Sequence, residues 1–318
     1  MSIRLGVVMD PVESVNTVKD STYAMLREAQ KRRWAIEYME MNDLYLSDGV
    51  ARARTRRLEF RFDREPWYGL SEATDSGLAH LDAILMRKDP PFDTEYIYCS
   101  YILERAEVEG VLVVNKPQAL RDANEKMFTA WFPQCAPPTL VTREYQDIRA
   151  FLDQHGDIIL KPLEGMGGAS VFRVSLADPN LSVIMENLTQ HQTRYVMAQR
   201  FIKEISEGDK RVLVINGEPV PYALARIPAP GELRGNLAAG AKGVGKPLSE
   251  RDLWICRQVG PVLKERGIVF SGLDIIGDYL TEINVTSPTG IRELDRIYDE
   301  NIGGKLLDAI EDLLQNNS

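Results

Sequence analysis

Cysteine and histidine are scarce in this chain of 318 residues, with three of each. Cys99, Cys135 and Cys256 lie far apart, form no CxxC pair and have no histidine at ligand spacing, so neither a disulfide framework nor a zinc site is expected. His80, His155 and His191 are also isolated and read as surface or structural residues. An excess of positive charge is missing too: 38 Lys and Arg stand against 47 Asp and Glu, a formal net charge of -9. That balance argues against an extended nucleic-acid footprint and requires any small anionic ligand to meet locally placed lysines and arginines. No apolar run approaches the length of a membrane span, and the opening MSIRLGVVMDP reaches a strand and an Asp-Pro turn too early for a secretory signal. The expectation is a cytoplasmic protein with no membrane and no nucleic acid among its partners. Two nucleotide fingerprints are absent as well, since neither GxxxxGK[ST] nor GxGxxG occurs.

What is present is an ordinary globular composition, 44% hydrophobic and 27% charged, long enough for two or three domains. The first third alternates apolar runs and helical patterns: IRLGVVMD (3–10), DSTYAMLREAQKR (20–32), WAIEYMEM (34–41), LDAILMRK (81–88), TEYIYCSYILERAEVEG (94–110) and VLVVNKP (111–117). This reads as an open α/β layer. Asp20 or Ser21 can cap the first helix, and Thr22, Leu26, Ala29 and Arg33 then share a face. Ligands of such sheets gather beyond the carboxyl ends of the strands, where Asp10-Pro11, Arg87 to Pro91 and Asn115 to Pro117 fall, so these exits are expected to form one shared site.

From about residue 123 the rhythm changes to strands joined by tight turns: TLVT, DIILKPLEGMGGASVFRV, RYVMAQRFI and the hairpin KRVLVINGEPVPYALARI with Asn216-Gly217 at its tip. The stretch 228–247 is glycine-rich, lacks strand or helix periodicity, and reads as either a linker or a lid. A helix near 249–266, the pair IVFSGLDIIG and YLTEINVTS, and a terminal helix complete the chain.

Chemistry concentrates in GLDIIGDYLTEINVTSPTGIRE. A turn centred near residue 278 sets Asp274 opposite Glu282, and the two-residue period puts Asn284 on the same face as Glu282. Two facing carboxylates with an amide oxygen suit Mg²⁺ shared with nucleotide phosphates; a solvated outer face is the alternative. In KPLEGMGGAS, Gly165, Gly167 and Gly168 free a strand-to-strand loop to fold close over phosphates, with Lys161 beside them. Lys126, Lys161, Arg211 and Arg226 are each ordinary surface cations taken singly. Together with an oxygen-rich metal face they suit a triphosphate.

KPLEGMGGAS, MAQRFI followed by EGDKRVLV, RGNLAAG and DIIGDYLTEINVTSPTGIRE resemble the ATP-grasp fold and, within it, the bacterial type of glutathione synthetase; MRKDPPFDTEYIY and VNKPQALRDANEKMFTAWF match the same family. The resemblance covers essentially the whole chain. It implies an N-terminal Rossmann-like (pre-ATP-grasp) substrate domain, 1–122, then an ATP-grasp domain of two lobes with antiparallel sheets, 123–202 and 203–318, the second carrying the metal site and the flexible loop 228–247. The implied reaction is ligation of γ-glutamylcysteine and glycine to glutathione through an acylphosphate, with ATP as co-substrate, two Mg²⁺ ions that Mn²⁺ can replace, and a homotetramer as the assembly.

By position, the resemblance implies that Lys126 and Lys161 contact phosphates under the loop Gly165-Met166-Gly167-Gly168, that Gln199, Arg200, Phe201 and Ile202 form the hinge beside adenine, and that Asp209 lies towards the ribose. It gives the metal ions to Asp274, Glu282 and Asn284, and the phosphoryl group to Arg211 and Arg226. Arg234, with Asn236 and Lys242 on the long loop, would reach the intermediate from a lid. Arg87, Asn284, Ser287, Pro288 and Thr289 are implied at the peptide substrate. The chain departs from the family pattern at Gln199, where many ATP-grasp members carry an acidic residue, and at Gly290, where some relatives carry a side chain. Two rivals remain: another ligase on the same fold, and a non-catalytic ATP-binding protein, which would have no need to keep the metal triad and both arginines.

Overall fold

A computed structural model describes residues 2–61, 65–165, 167–232, 234–235 and 240–316. Met166 and Asn236 therefore lie outside the described residues. The N-terminal layer contains β1 (Arg4–Val8), α1 (Ser21–Lys31), β2 (Ala35–Met39), β3 (Leu44–Ser47), β4 (Val50–Phe60), β5 (Tyr68–Leu70), β6 (Thr74–Gly77), β7 (Ala83–Met86), α2 (Thr94–Val108), β8 (Leu112–Val114) and α3 (Pro117–Asp122). β2, β1, β7 and β8 are parallel neighbours, so the layer is Rossmann-like in that part. Beyond β2 the sheet continues antiparallel through β4 and β3, with β5 and β6 also on β4. Asp20, and not Ser21, caps α1 by accepting from the Tyr23 N–H at 3.0 Å. Thr22, Leu26 and Ala29 share the buried face as expected, but the helix stops at Lys31 and Arg33 falls past its end at a φ of 60°.

The next layer is built from β9 (Thr139–Thr142), α4 (Tyr145–His155), β10 (Asp157–Pro162), β11 (Phe172–Ser175), α5 (Leu181–Thr189) and β12 (Val196–Arg200). Its antiparallel sheet runs β11-β10-β12-β9. Strands joined by tight turns were expected here, whereas α4 and α5 cover the sheet: Ile148, Leu152, Leu181, Met185 and Leu188 pack with Ile158, Leu160 and Val174 in one apolar cluster. One face of a sheet needs such a cover; the other is left for the site.

The last layer comprises β13 (Asp209–Ile215), β14 (Glu218–Ile227), β15 (Lys242–Pro247), α6 (Glu250–Glu265), β16 (Phe270–Ile276), β17 (Tyr279–Asn284), α7 (Ile291–Tyr298) and α8 (Ile302–Asn316). The sheet order is β15-β14-β13-β16-β17, all antiparallel. β15 corrects the reading of 228–247 as one irregular loop: Lys242 to Pro247 pair with β14, and Lys242 opens a strand opposite Ile227. Glycines obscured it, because strand propensity rests on side chains that pack. α8 returns to the N-terminal layer and packs on α1, so the chain ends on the layer where it began.

Two buried polar joints tie the layers together. Asn115, at the exit of β8, donates to the carbonyls of Phe270 and Val285, both at 2.7 Å, and accepts from the Phe270 N–H at 2.8 Å. The edge of β17 is closed by hydrogen bonds from Leu280 N to Cys135 O (2.9 Å) and Ile283 N to Glu125 O (2.8 Å). All three cysteines are free and buried. Among the described residues no helix is long and apolar enough to cross a membrane.

The Asn216-Gly217 turn joins β13 and β14 with both residues at positive φ, 49° and 88°. α6 crosses it so closely that a Cβ on Gly260 would lie 2.0 Å from the Gly217 carbonyl oxygen. Gly260→Ala should therefore destabilise the protein by about 1–3 kcal/mol, through a shift of α6 against the hairpin. An unchanged urea midpoint for that variant would remove this contact as a packing constraint.

Candidate active site

The cleft between the two antiparallel sheets, open towards the N-terminal layer, encloses about 550 Å³. Its floor is the β16–β17 hairpin. A two-residue turn at Gly277-Asp278 pairs Ile276 with Tyr279 and Ile275 with Leu280, and continued regularly would set Asp274 opposite Thr281. Instead the register shifts by one residue, and Asp274 faces Glu282 while Gly272 faces Asn284. Thr281 is the extra residue, and its hydroxyl donates to the Asp274 carbonyl at 3.1 Å. Without this bulge Glu282 would point to the opposite face of the sheet.

Asp274 is 3% exposed and is held by two arginines from neighbouring strands. Arg211 donates from Nε to Oδ1 (2.8 Å) and from Nη2 to Oδ2 (2.7 Å), and Arg226 Nη2 lies 2.9 Å from Oδ2. Burial alone would raise the Asp274 pKa, but the two guanidiniums outweigh it and hold the carboxyl well below the usual carboxylate range. Arg226 also donates to Asp209, its cross-strand partner. Burial pushes Asp209 up to about 7 despite that arginine, with Asp274 and Glu282 adding to the rise. Asn284 donates its amide to Gly272 O and Asp274 Oδ2, both at 3.2 Å, which leaves its side-chain oxygen without a partner among the described residues.

Glu282 stands 3.7 Å from Lys161 Nζ and 3.9 Å from Lys126 Nζ. Burial draws the Lys161 ammonium down, opposed by Glu282. Lys126 is raised: Glu282 and Glu125 together outweigh its burial. Lys126 donates to Glu125 and, at 2.9 Å, to the Gly165 carbonyl, which tethers the glycine loop to the floor.

The roof carries Lys161 with Ile159 two residues before it on β10, so the strand period presents an apolar and a cationic side chain on the same face. Ile159, Val171, Phe201, Ile202, Ile205 and Ile276 form an apolar slot at one end of the cleft. The Gln199 amide donates to Thr139 Oγ1 at 3.1 Å, so its side chain is engaged within the sheet. Arg234 and Gly235, from the long loop, lie over the cleft: a Cβ on Gly168 would be 3.2 Å from Arg234 Cγ, and one on Gly235 would be 2.6 Å from Asp209 Cβ.

Most of the residues singled out in the sequence line this one cleft, from Lys161, Gly167 and Gly168 through Gln199 to Ile202 to Asp209, Arg211, Arg226, Arg234, Asp274, Glu282, Asn284 and Ser287 to Thr289. Lys126, Gly165 and Arg87 sit behind its walls. Arg87 is buried and donates to Thr22 Oγ1 (3.1 Å) and to the Pro288 carbonyl (3.2 Å), so it supports the Ser287 to Thr289 segment from beneath. The three strand exits do not form one site. Asp10 pairs with Lys88 at 2.8 Å and Asn115 is taken up by Phe270, while Asp89 and Pro90 reach the cleft, where Ser287 Oγ donates to Asp89. Sequence reading missed Glu125, Asn16, Lys19, Asp20 and Glu293; Glu125 had a signal in its place beside Lys126, and Glu293 in its place at the end of SPTGIRE.

The prokaryotic glutathione synthetase N-terminal domain matches residues 3–121, and the ATP-grasp domain of the same family matches residues 125–299. Glutathione synthetase of Vibrio cholerae serotype O1 is 64% identical over 309 residues, 97% of each chain. That of Vibrio vulnificus strain YJ016 is 62% identical over 315 residues, 99% of each. Among solved structures, the D-cycloserine synthetase DcsG superposes with a TM-score of 0.68 at 11% identity, covering 99% of this chain and 100% of its own. The ATP-grasp ligase PsnB, complexed with a minimal precursor, Mg and ADP, superposes with a TM-score of 0.63 at 17% identity, covering 98% of each chain. At those identities the likeness shows the fold, whereas the extent and identity of the sequence matches carry further: the chain belongs to the prokaryotic glutathione synthetase family, ATP-dependent ligases built on the ATP-grasp fold.

Proposed function

We propose that this cleft joins γ-glutamylcysteine to glycine at the expense of ATP, releasing glutathione, ADP and phosphate. The observation that carries the reading is the convergence, in or directly behind one cleft, of an apolar slot, two buried lysines, two arginines clamped on one aspartate, and a carboxylate–amide pair on the floor. Adenine would lie in the slot beside Gln199 to Ile202, the ribose near Asp209, and the phosphates along Lys126 and Lys161 under the glycine loop. The lobes at 123–202 and 203–318 would then close on the nucleotide, with 1–122 presenting the peptide. Asp209 and Arg226, already paired, supply a polar edge between slot and floor.

Glu282 and Asn284, with Asp274 behind them, would hold two Mg²⁺ ions, and Mn²⁺ would fit the same oxygens. The residues fit such ions: the donors are hard oxygens and, among the described residues, the Asn284 side-chain oxygen is unspent and the Glu282 carboxylate has no ion pair closer than its two lysines. When bound, a divalent ion supplies charge neutralisation at the phosphates. The rest falls to the chain. A carboxylate does not condense with an amine in water, so an oxygen of the cysteinyl carboxylate first attacks the γ-phosphorus and ADP leaves. The glycine amine then attacks the acyl carbon, phosphate departs, and the amine loses a proton. Arg211 and Arg226, fixed by Asp274, meet the charge that develops in both transfers without reorganising. Arg87 holds the Ser287 to Thr289 backbone against the peptide, and Arg234 caps the site from above. A homotetramer in the cytoplasm is the assembly and compartment that go with this reading; sedimentation equilibrium checks the first.

The deciding experiment is ADP release from MgATP and γ-glutamylcysteine with and without glycine, with glutathione scored by mass. Glycine-dependent ADP matched one for one by glutathione is expected; nucleotide binding without peptide product would return the substrate assignment to the other ATP-grasp ligases. Glu282→Gln should lower turnover by at least about 100-fold and raise the Mg²⁺ requirement at unchanged melting temperature. Wild-type turnover and metal dependence in that variant would remove Glu282 from the metal site. Replacing residues 228–241 by a short glycine linker should leave ATP cleavage but lower the ratio of glutathione to ADP, because an acylphosphate open to water hydrolyses. A ratio still at one would exclude the loop as a lid.

A further inference from the structure

Three consecutive residues after α3 hold the glycine loop and the metal-facing strand together. Asn124 accepts from the N–H groups of Lys126 (3.1 Å) and Met127 (2.9 Å) and donates its amide to the Leu163 carbonyl at 3.1 Å. Lys126 reaches the Gly165 carbonyl at 2.9 Å, so the loop is pinned at two points. Glu125, between them, lines the cleft and faces two ways: its carbonyl accepts from the Ile283 N–H at 2.8 Å, between Glu282 and Asn284, and its carboxylate takes the Lys126 ammonium. An ammonium has three donors. Those of Lys126 go to Glu125 and Gly165, and among the described residues no hydrogen bond takes the third. Glu282 stands off at 3.9 Å.

We propose that Glu125 is a positioning residue for nucleotide binding: it holds the Lys126 ammonium off Glu282 and keeps its third N–H for a phosphate. This role rests on the phosphates lying along Lys126 and Lys161. Lys126 is 3% exposed, and a cation so buried needs a counter-charge. Glu282 is the only other carboxylate within ion-pair distance of it among the described residues. Without the charge of Glu125 the ammonium would close on Glu282, which would take the lysine from the phosphate and the carboxylate from a metal ion. The charge of Glu125 by itself works against a phosphate, because like charges repel. Two effects of opposite sign can therefore be told apart. A carboxylate that only faced the phosphates would hinder binding, whereas one that positions Lys126 is needed for it.

The test is a double-mutant cycle on binding, with MgADP and adenosine titrated calorimetrically into wild type, Glu125→Gln, Lys126→Met and the double variant. The carboxamide keeps the size of the side chain and the main-chain bond to Ile283. Exchange of an ionic for a neutral hydrogen bond predicts that Glu125→Gln binds MgADP about tenfold more weakly, with adenosine, which has no phosphate, within about twofold of wild type. In the Lys126→Met background there is no ammonium to hold, so the same change should leave MgADP affinity unchanged or improve it. MgADP binding by Glu125→Gln at wild-type strength or better overturns the role. A loss repeated in the Lys126→Met background does so too, since it would make Glu125 a metal ligand or a support of the fold, and so does an equal loss for adenosine. Should Glu125→Gln fail to fold, Glu125→Asp carries the test: its carboxylate, withdrawn by one methylene, should weaken MgADP binding with Lys126 present and not with Met in its place. Wild type that binds MgADP no more tightly than adenosine sinks the placement of the phosphates itself, and the role of Glu125 with it.

Discussion

Everything in the cleft depends on one buried carboxylate. Asp274 sits on β16, in the hairpin at one edge of the last sheet, takes three charge-assisted contacts from arginines on β13 and β14, and accepts the Asn284 amide as well. A carboxylate so buried is tolerable only if its charge is met, and removing one partner would leave the others desolvated. The arrangement therefore fixes Arg211, Arg226 and Asn284 relative to each other before any ligand enters. A phosphoryl transfer site needs that rigidity, because fixed dipoles and charges act on the transition state without a reorganisation cost.

Around this floor the three layers divide the work. The last sheet supplies charge, the middle sheet supplies an apolar roof with Lys161 projecting from it, and the N-terminal layer closes the mouth through Asp20, Asp89 and the turn after β1. Their mutual placement rests on few but fully satisfied polar joints. Asn115 meets three backbone groups of the last layer, Arg87 reaches the Pro288 carbonyl, and β17 borrows its outer hydrogen bonds from the segment around Glu125 and Cys135. Each such group has little water to fall back on, which makes these joints directional where apolar packing is not. The same economy explains why Arg87, expected to meet the peptide itself, lies behind the cleft wall: its guanidinium is spent on Thr22 and on the Pro288 backbone, and so holds the Ser287 to Thr289 segment that lines the cleft.

Most of the site was legible because its residues repeat at the strand period or stand beside a turn. Asp274, Glu282 and Asn284 follow from one hairpin, Lys161 from its place before three glycines, and Arg211 and Arg226 from facing strands of another hairpin. What escaped did so for physical reasons. α4 and α5 carry ordinary amphipathic patterns that the strand signals around them masked. β15 is written in glycine, lysine and proline, residues with little strand propensity, and exists because β14 offers it an edge. Asn16 and Lys19 belong to a stretch with no motif, Asp20 read only as a helix cap, and Glu293 only closes the SPTGIRE segment; they line one cleft because α7 and the turn after β1 come together at its mouth.

The hairpin at Gly277-Asp278 divides the two kinds of information. By itself the sequence determined that two strands meet there, that one face is apolar through Ile275 and Ile283, and that acidic side chains and an asparagine share the other region, since turn chemistry and side-chain alternation are local properties. It also pointed to Asp274 facing Glu282, through a turn centred near residue 278, but not to the bulge by which that register is reached. A regular two-residue turn places Asp274 against Thr281, and only the bulge at Thr281 turns Glu282 to the side of Asp274. That bulge is held from outside the hairpin, by β13 pairing Arg211 with Asp274 on one edge and by Glu125 receiving the Ile283 N–H on the other. Pairing of distant segments, with a buried charge that must be met, decided how the facing carboxylates are held there.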